Sequence, residues 1–317
     1  MYMPYLYGRQ YELLAIRMML EDQRDRAGLL PLVEPLMAKT RDLTRCISLC
    51  GDHDQSLAVV VNPDKHELKN AAALERWLDE TTEVFNEERH VIPTLVCRTD
   101  SVREIVEPFL EHYPDRALAL VHPGKKLSPS DMAWLARKHA VRWHIVAVDH
   151  VPQARWQQLP SDRVILLKDC FNKMERNADY GEAEFFTNRH HSVPNQVAGL
   201  SDYLCIGSHF KDGGSTPHAV AIHAAYKDPD DHDVWIEHFV STHITKDEGD
   251  VASKFVDAAR KLTRAVRGRP SEFGDNQALR EFGRLARAAV FPGLPTSKKL
   301  QMVHHMCLMM DVLEGRL

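Results

Sequence analysis

Short apolar runs of β-character recur along the first two-thirds of this chain, with helix-like segments between them. The runs are residues 2–6, 29–34 (LLPLVE), 57–62 (LAVVVN), 90–98 (HVIPTLVCR), 117–122 (ALALVH), 142–149 (RWHIVAVD), 163–169 (RVILLKD) and 201–207 (SDYLCIG). The intervening segments, 10–21, 41–50, 71–86, 101–112, 130–139, 152–159 and 177–188, read as helices, with Leu74, Leu78, Val84 and Phe85 near helical spacing in the third. Ser101 and Glu104 have the spacing of a capping box, and Pro129 marks the entry of the next helix. Strands alternating with helices build βαβ units and a parallel sheet, and eight in succession match a (β/α)8 TIM-like barrel. A doubly wound open sheet shares this alternation, because periodicity alone does not show closure.

The rhythm breaks after the eighth run. Residues 218–226 (HAVAIHAAY) and 234–242 (VWIEHFVST) are two β-runs separated by KDPDDHD, too short for a crossover helix, so they pair as an antiparallel hairpin. Three helical segments follow at 251–266, 276–291 and 296–313, broken at Gly268-Arg269-Pro270 and Pro292-Gly293-Leu294-Pro295. The partition expected is a barrel over 1–215, a hairpin over 216–245 and a helical segment over 246–317 packed on the barrel. The last helix carries Met302, Val303, Met306, Leu308, Met309, Met310, Val312 and Leu313, and is apolar on much of its surface. Such a helix packs on the rest of the chain or offers an adaptable surface to a partner.

Composition narrows the class. The 317 residues are 44% hydrophobic and 27% charged, which supports a sizeable globular core. No run approaches the roughly 20 apolar residues needed to span a bilayer, and the first residues lack a secretory leader, so the expected location is the cytoplasm. A net charge of −5 and a pI near 6.4 argue against a generalised nucleic-acid surface while leaving room for a local basic pocket. Cys97, Cys170 and Cys205 sit in or beside β-runs as small hydrophobes, and Cys46 and Cys50 share a helix without the second pair of a zinc ribbon.

In a barrel, functional residues gather at the carboxyl ends of the strands, where the βα-loops converge. Those ends carry Tyr7 with Arg9, Glu34, Asn62, Arg98, His122, Asp149 with His150, Lys168 with Asp169, and Ser208 with His209. The stretch 163–180 is densest, adding Lys173, Glu175, Arg176, Asn177 and Asp179 after an apolar strand. Cations and carboxylates sharing one cavity fit an anionic ligand. The candidate catalytic residues are therefore Glu34, Asp149, Lys168 and Asp169. The candidate ligand-binding residues are Arg9, Asn62, Arg98, His122, Arg176, Asn177 and Asp179.

Two chemistries are compatible with this set. Arg and Lys can clamp a phosphate while Glu34, Asp149 or Asp169 holds a divalent cation for phosphoester hydrolysis. Alternatively, His122 or His150 serves as general acid or base beside a carboxylate. Asp212-Gly213-Gly214-Ser215 is either a phosphate cradle or a simple turn. His223 and His238, one on each arm of the hairpin, are a candidate metal pair, short of the ligands a site needs.

The segments MYMPYLYGRQYELLAIR, PLVEP, VNP, KMERNADYGEAEFF, GGSTPHAVAIHAAY, HFVS and FPGLPTSKKLQMVHH together resemble the bacterial branch of the phage beta-protein family. The matching positions are Arg9, Gln10, Glu12, Glu34, Asn62, Arg176, Asn177, Asp179, Tyr180, His223 and His238. Where the family pattern has an acidic residue after a glycine, this chain has Ser208 after Gly207, which puts any metal ligand at that place in doubt. The resemblance implies a role in anti-phage defence or conflict between genomes, with a nuclease-like partner, because members of this branch are associated with genes for small restriction-endonuclease-like proteins. It carries no established catalytic residue. Two functions follow: a barrel enzyme or sensor for a phosphorylated or otherwise anionic small molecule such as a nucleotide, or a non-catalytic scaffold presenting its hairpin and last helices to a nuclease.

Overall fold

β1 (Tyr2–Gly8) pairs in parallel on both sides, with β2 (Leu32–Pro35) through Tyr5↔Leu32 and with β9 (Gly199–Asp202) through Tyr2↔Leu200, so the sheet closes on itself. This computed structural model describes residues 1–124, 127–193, 196–210 and 217–317. The closed order is β1, β2, β3 (Leu57–Val60), β4 (Val91–Val96), β5 (Leu118–His122), β6 (Val141–Ala147), β7 (Val164–Lys168) and β9. The eight parallel strands and their helices make a (β/α)8 barrel, and the open-sheet alternative is excluded. The connecting helices are α1 (Gln10–Glu21), α2 (Arg41–Asp52), α3 (Ala71–Glu87), α4 (Val102–His112), α5 (Pro129–Leu135) and the short α6 (Gln153–Trp156). No helix among the described residues is long and apolar enough to cross a membrane.

Some helix starts follow local side-chain chemistry. The Asn70 side chain accepts from Ala73 N–H to cap α3, and α5 opens on a reciprocal box between Ser128 and Asp131 with Pro129 in its first turn. The box expected at Ser101 and Glu104 does not form: Ser101 makes no side-chain cap, and its own N–H donates to Thr99 Oγ1. The reciprocal arm from Glu104 is thereby pre-empted.

The largest departure from the sequence reading lies between β7 and β9. The expected helix over 177–188 is instead a 3-10 turn, Asn177–Asp179, followed by a strand, β8 (Ala183–Thr187). β8 is not a stave of the barrel. It pairs antiparallel with β11 (Val234–Val240), which pairs antiparallel with β10 (Ala221–Lys227), giving a three-stranded sheet in the order β10-β11-β8. The expected hairpin is present and gains a third strand. The eighth barrel strand is also shorter than expected, ending at Asp202. There the chain turns through Leu204 (φ 52°) and Gly207 (φ 71°) instead of continuing extended to Gly207.

The chain accordingly forms two compact units: Met1–Lys168 with His191–Asp202, and Asp169–His190 with Tyr203–Leu317. These units meet at 168, 190 and 202, where the sequence reading set its boundaries after 215 and after 245, and β8 goes with the second unit because it pairs with β11. The second unit holds the sheet and α7 (Val251–Gly268), α8 (Pro270–Phe273), α9 (Gln277–Ala288) and α10 (Leu294–Leu313). α10 packs against β10, α9 and the turn Leu204–Ile206, and every residue from Leu300 to Val312 is buried. A helix apolar all round belongs in an interior, and that is its place here. It does not serve as an exposed partner surface.

Candidate functional site

At the carboxyl end of β2, the Glu34 side chain is fully buried and accepts three hydrogen bonds: from Tyr5 Oη (2.7 Å), Lys65 Nζ (2.7 Å) and Arg98 Nη2 (2.8 Å). A buried carboxylate is tolerated only when paired and hydrogen-bonded, and this one meets both conditions. Arg98, just past β4, is fixed at three points. Nη2 donates to Glu34 and Nη1 to the Asn62 carbonyl (2.6 Å), and Nε lies 2.9 Å from Asp64 Oδ2 in an ion pair. Lys65 also lies 3.5 Å from Asp64 and 5.7 Å from the centre of the Tyr7 ring. The result is a network of two cations and two carboxylates on the ends of β1 to β4.

Asn62 works beneath this network. Its amide nitrogen donates to Val96 O and its amide oxygen accepts from Val96 N–H, each at 2.9 Å, so the side chain extends the β3–β4 ladder where the backbone leaves it. Asn62 therefore positions the loop that carries Asp64 and Lys65.

A cavity of about 170 Å³ opens beside Arg98, lined also by Cys97, Asp100, His122, Pro123 and Leu127. His122, the last residue of β5, is fully buried and shares a 3.1 Å hydrogen bond with His144 of β6, Nε2 to Nδ1. Among the described residues His122 Nδ1 and His144 Nε2 have no hydrogen-bond partner. Burial pushes His122 down to about 4. His144 is held well below its ordinary value, by burial first and then by His122 and Arg163. Both rings are neutral near pH 7. A larger cavity, about 360 Å³, lies at the opposite, amino end of the strands, where Asp25, Arg26, His53, Asp54, Gln55 and Trp143 contribute to its wall.

The remaining candidates fall elsewhere. Asp149 and Lys168 form their own pair at 4.0 Å, with side chains about half exposed. Arg9 occupies the position before α1, where its carbonyl accepts from Leu13 N–H. Asp169, expected to be catalytic, is a loop brace in the second unit: Oδ2 accepts from Ser208 N–H (2.8 Å) and Oδ1 from Phe171 N–H (3.3 Å). Arg176 and Asp179 pair with each other on an exposed turn, and Asn177 Nδ2 donates to Ala219 O (2.8 Å). Residues 212–215 lie outside the described residues.

The second unit has a cluster of its own. His223 and His238 are register partners on β10 and β11, joined Nδ1 to Nδ1 at 2.8 Å. Tyr180 lies over both rings, with centroids at 4.5 and 4.6 Å, and its oxygen accepts from Met174 N–H. Glu184 Oε1 is 3.8 Å from His238 Nε2. Burial lowers His223 to about 3 and His238 to about 4, and raises Tyr180 to about 12. The bonds of Arg176, Asn177 and Asp179 brace the turn that delivers Tyr180 to this pair. The two histidines bond to each other, and no group of three or more His, Cys, Asp or Glu among the described residues is arranged to hold a metal ion.

Of the strand-end residues, the structure brings Glu34, Asn62, Arg98 and His122 together, and it adds Asp64, Lys65 and His144, which the sequence reading did not name. The signal for Lys65 was its place three residues into the loop after Asn62. For His144 it was an imidazole inside an apolar strand.

Together these features define a (β/α)8 barrel with a charged, braced mouth and an appended three-stranded sheet. No protein-family model and no curated protein sequence matches the chain.

Proposed function

We propose that the barrel binds a small anionic ligand, the phosphate or carboxylate end of a metabolite, in the cavity beside Arg98 and His122. One observation carries this reading. Arg98 is held by hydrogen bonds to Glu34 and the Asn62 carbonyl and by an ion pair with Asp64, and the guanidinium stands at the wall of a cavity with further N–H groups making no hydrogen bond among the described residues. A fork held this way loses little freedom on meeting an oxyanion.

Binding is better supported than hydrolysis. Glu34 is occupied by three donors, which makes it the brace of Arg98 and a poor ligand for a divalent cation. The scaffold reading draws no support from α10, whose apolar surface is interior. A place in defence against phage, beside a nuclease-like partner, rests on the resemblance of the motif segments, and plaque counts on cells with and without the gene would test it. The binding itself is tested by calorimetry with inorganic phosphate and with nucleoside monophosphates. Arg98→Ala should weaken binding at least tenfold; unchanged binding in that variant would move the site elsewhere.

A further inference from the structure

We propose that the exposed face shared by α7 and α9 is a docking surface for a nucleic-acid duplex, held through its phosphate backbone. This face is independent of the cavity beside Arg98, since all its residues belong to the second unit. Residues 251–299 hold eleven Lys and Arg against four Asp and Glu, a balance of +7 in a chain whose net charge is −5, so the remaining residues carry −12. Six of the eleven are arginines at one spacing. Arg260, Arg264 and Arg267 on α7, and Arg280, Arg284 and Arg287 on α9, fall at i, i+4 and i+7, so each helix presents one arginine stripe, and all six residues are exposed.

The two stripes run side by side. A Cβ on Gly283 would stand 3.9 Å from the Thr263 methyl, and Phe255 packs on Phe291 with ring centroids 5.4 Å apart, a register that sets the helices antiparallel. It brings Arg260 level with Arg287, Arg264 with Arg284, and Arg267 with Arg280. At 1.5 Å of rise per residue each stripe is about 10 Å long, and packed helices lie about 8–10 Å apart. Two of the six arginines are answered locally: Arg280 by Asp275 (2.7 Å), and Arg284 by a bidentate pair with Glu281 (2.7 and 2.8 Å). Arg260, Arg264, Arg267 and Arg287 make no ion pair or side-chain hydrogen bond among the described residues. Of the residues outside that set the one acid, Asp212, follows Lys211.

A solvated helix face ordinarily interleaves opposite charges at i, i+4, whereas here like charges repeat at that spacing and repel across the seam as well. Folding alone gives no reason for such an arrangement, and a polyanion supplies one. Arginine suits phosphate because its planar fork donates twice to one group. The aromatic residues favour a duplex over a single strand: Phe255, Phe273 and Phe282 are buried and Phe291 lies against Phe255, so the stripes offer no ring on which open bases could stack. A lipid surface is disfavoured because no large apolar side chain among the described residues is exposed between the stripes; Val290, 44% exposed, lies past the end of α9. Contacts of this kind read charge and not base sequence, and the negative remainder of the chain turns this face toward the polyanion.

The test is fluorescence anisotropy of the full chain with a labelled DNA duplex. Four uncommitted arginines meeting four phosphates give a slope of about −3.6 in log K against log salt, or about 150-fold weaker binding between about 50 and 200 mM. Arg264→Gln alone should reduce that slope by about one in magnitude. Arg260→Gln, Arg264→Gln and Arg267→Gln together should weaken binding at least tenfold, with an unchanged or higher Tm because like-charge repulsion is relieved. Arg41→Gln with Arg45→Gln, exposed on α2, should bind as the unaltered protein does. Absence of duplex binding at about 50 mM salt, or binding that the triple variant leaves unchanged, overturns the inference. Tighter binding to the single strand, or to vesicles rich in phosphatidylserine, overturns it as well. If the triple variant fails to fold, the slope of Arg264→Gln decides alone.

Discussion

Acid should weaken the second unit, and His304 shows why. Its ring lies in α10, 1% exposed, with Nε2 donating to Ala225 O (2.8 Å) and Nδ1 accepting from Asn276 Nδ2 (3.0 Å). A second proton would place Nδ1–H against the Asn276 amide hydrogens. Burial lowers its pKa from 6.5 to about 4. Because the folded value lies below the unfolded one, the unfolded chain takes protons first. The stability is complete above pH 6.5 and is lost as pH falls toward 4. From pH 7 to pH 4.5 the loss is about 2 kcal/mol for His304. The buried His223–His238 pair, with His238 at about 4, titrates in the same direction and contributes about as much again for its first proton. A total of about 4 kcal/mol is a large share of what holds an ordinary domain together. Hydrogen exchange across this range, corrected for intrinsic rates, should show the amides of β10 and β11 losing protection by several hundred-fold or more. His304→Gln, which keeps a donor and an acceptor and does not titrate, should recover about half of that loss on the free-energy scale. Equal protection at pH 7 and 4.5 would refute the reasoning.

Two further perturbations test the framework. Glu34→Gln removes the charge beneath Lys65 and Arg98 and should cost about 3 kcal/mol by urea unfolding, well beyond the effect of an exposed pair. Ala289 ends α9 in the left-handed region (φ 50°), so Ala289→Gly should raise stability by about 1 kcal/mol, read as a higher urea midpoint at unchanged slope.

The barrel was legible in the sequence because seven of its strands are near-continuous apolar runs, as strands covered on both faces must be. β8 was not legible for the opposite reason. GEAEFFTN is rich in helix formers, and Phe185 stays 45% exposed. Its strand character comes from the ladder with β11, some fifty residues away, where tertiary pairing overrides local preference. The mouth divides similarly. Glu34 and Arg98 stood at strand ends, where barrels keep their chemistry. Asp169 stood there too, and its bond to Ser208, 39 residues on, is a tertiary contact that no strand-end position announces. Lys65 reaches Glu34 from within a loop, and no count of strand-end residues includes it.

The placement of β8 restricts how this molecule can be taken apart. A fragment ending at Asp202 would keep all eight barrel staves and also β8, stripped of β11 and showing a bare ladder edge with Phe185 beside it, an invitation to self-association. A fragment starting at Tyr203 would retain the β10–β11 ribbon yet forfeit Tyr180 and Glu184, leaving the histidine pair uncovered. Dissection by truncation therefore damages both halves at once, and a clean excision must remove 169–190 and 203–317 together, with a short linker rejoining Lys168 to His191.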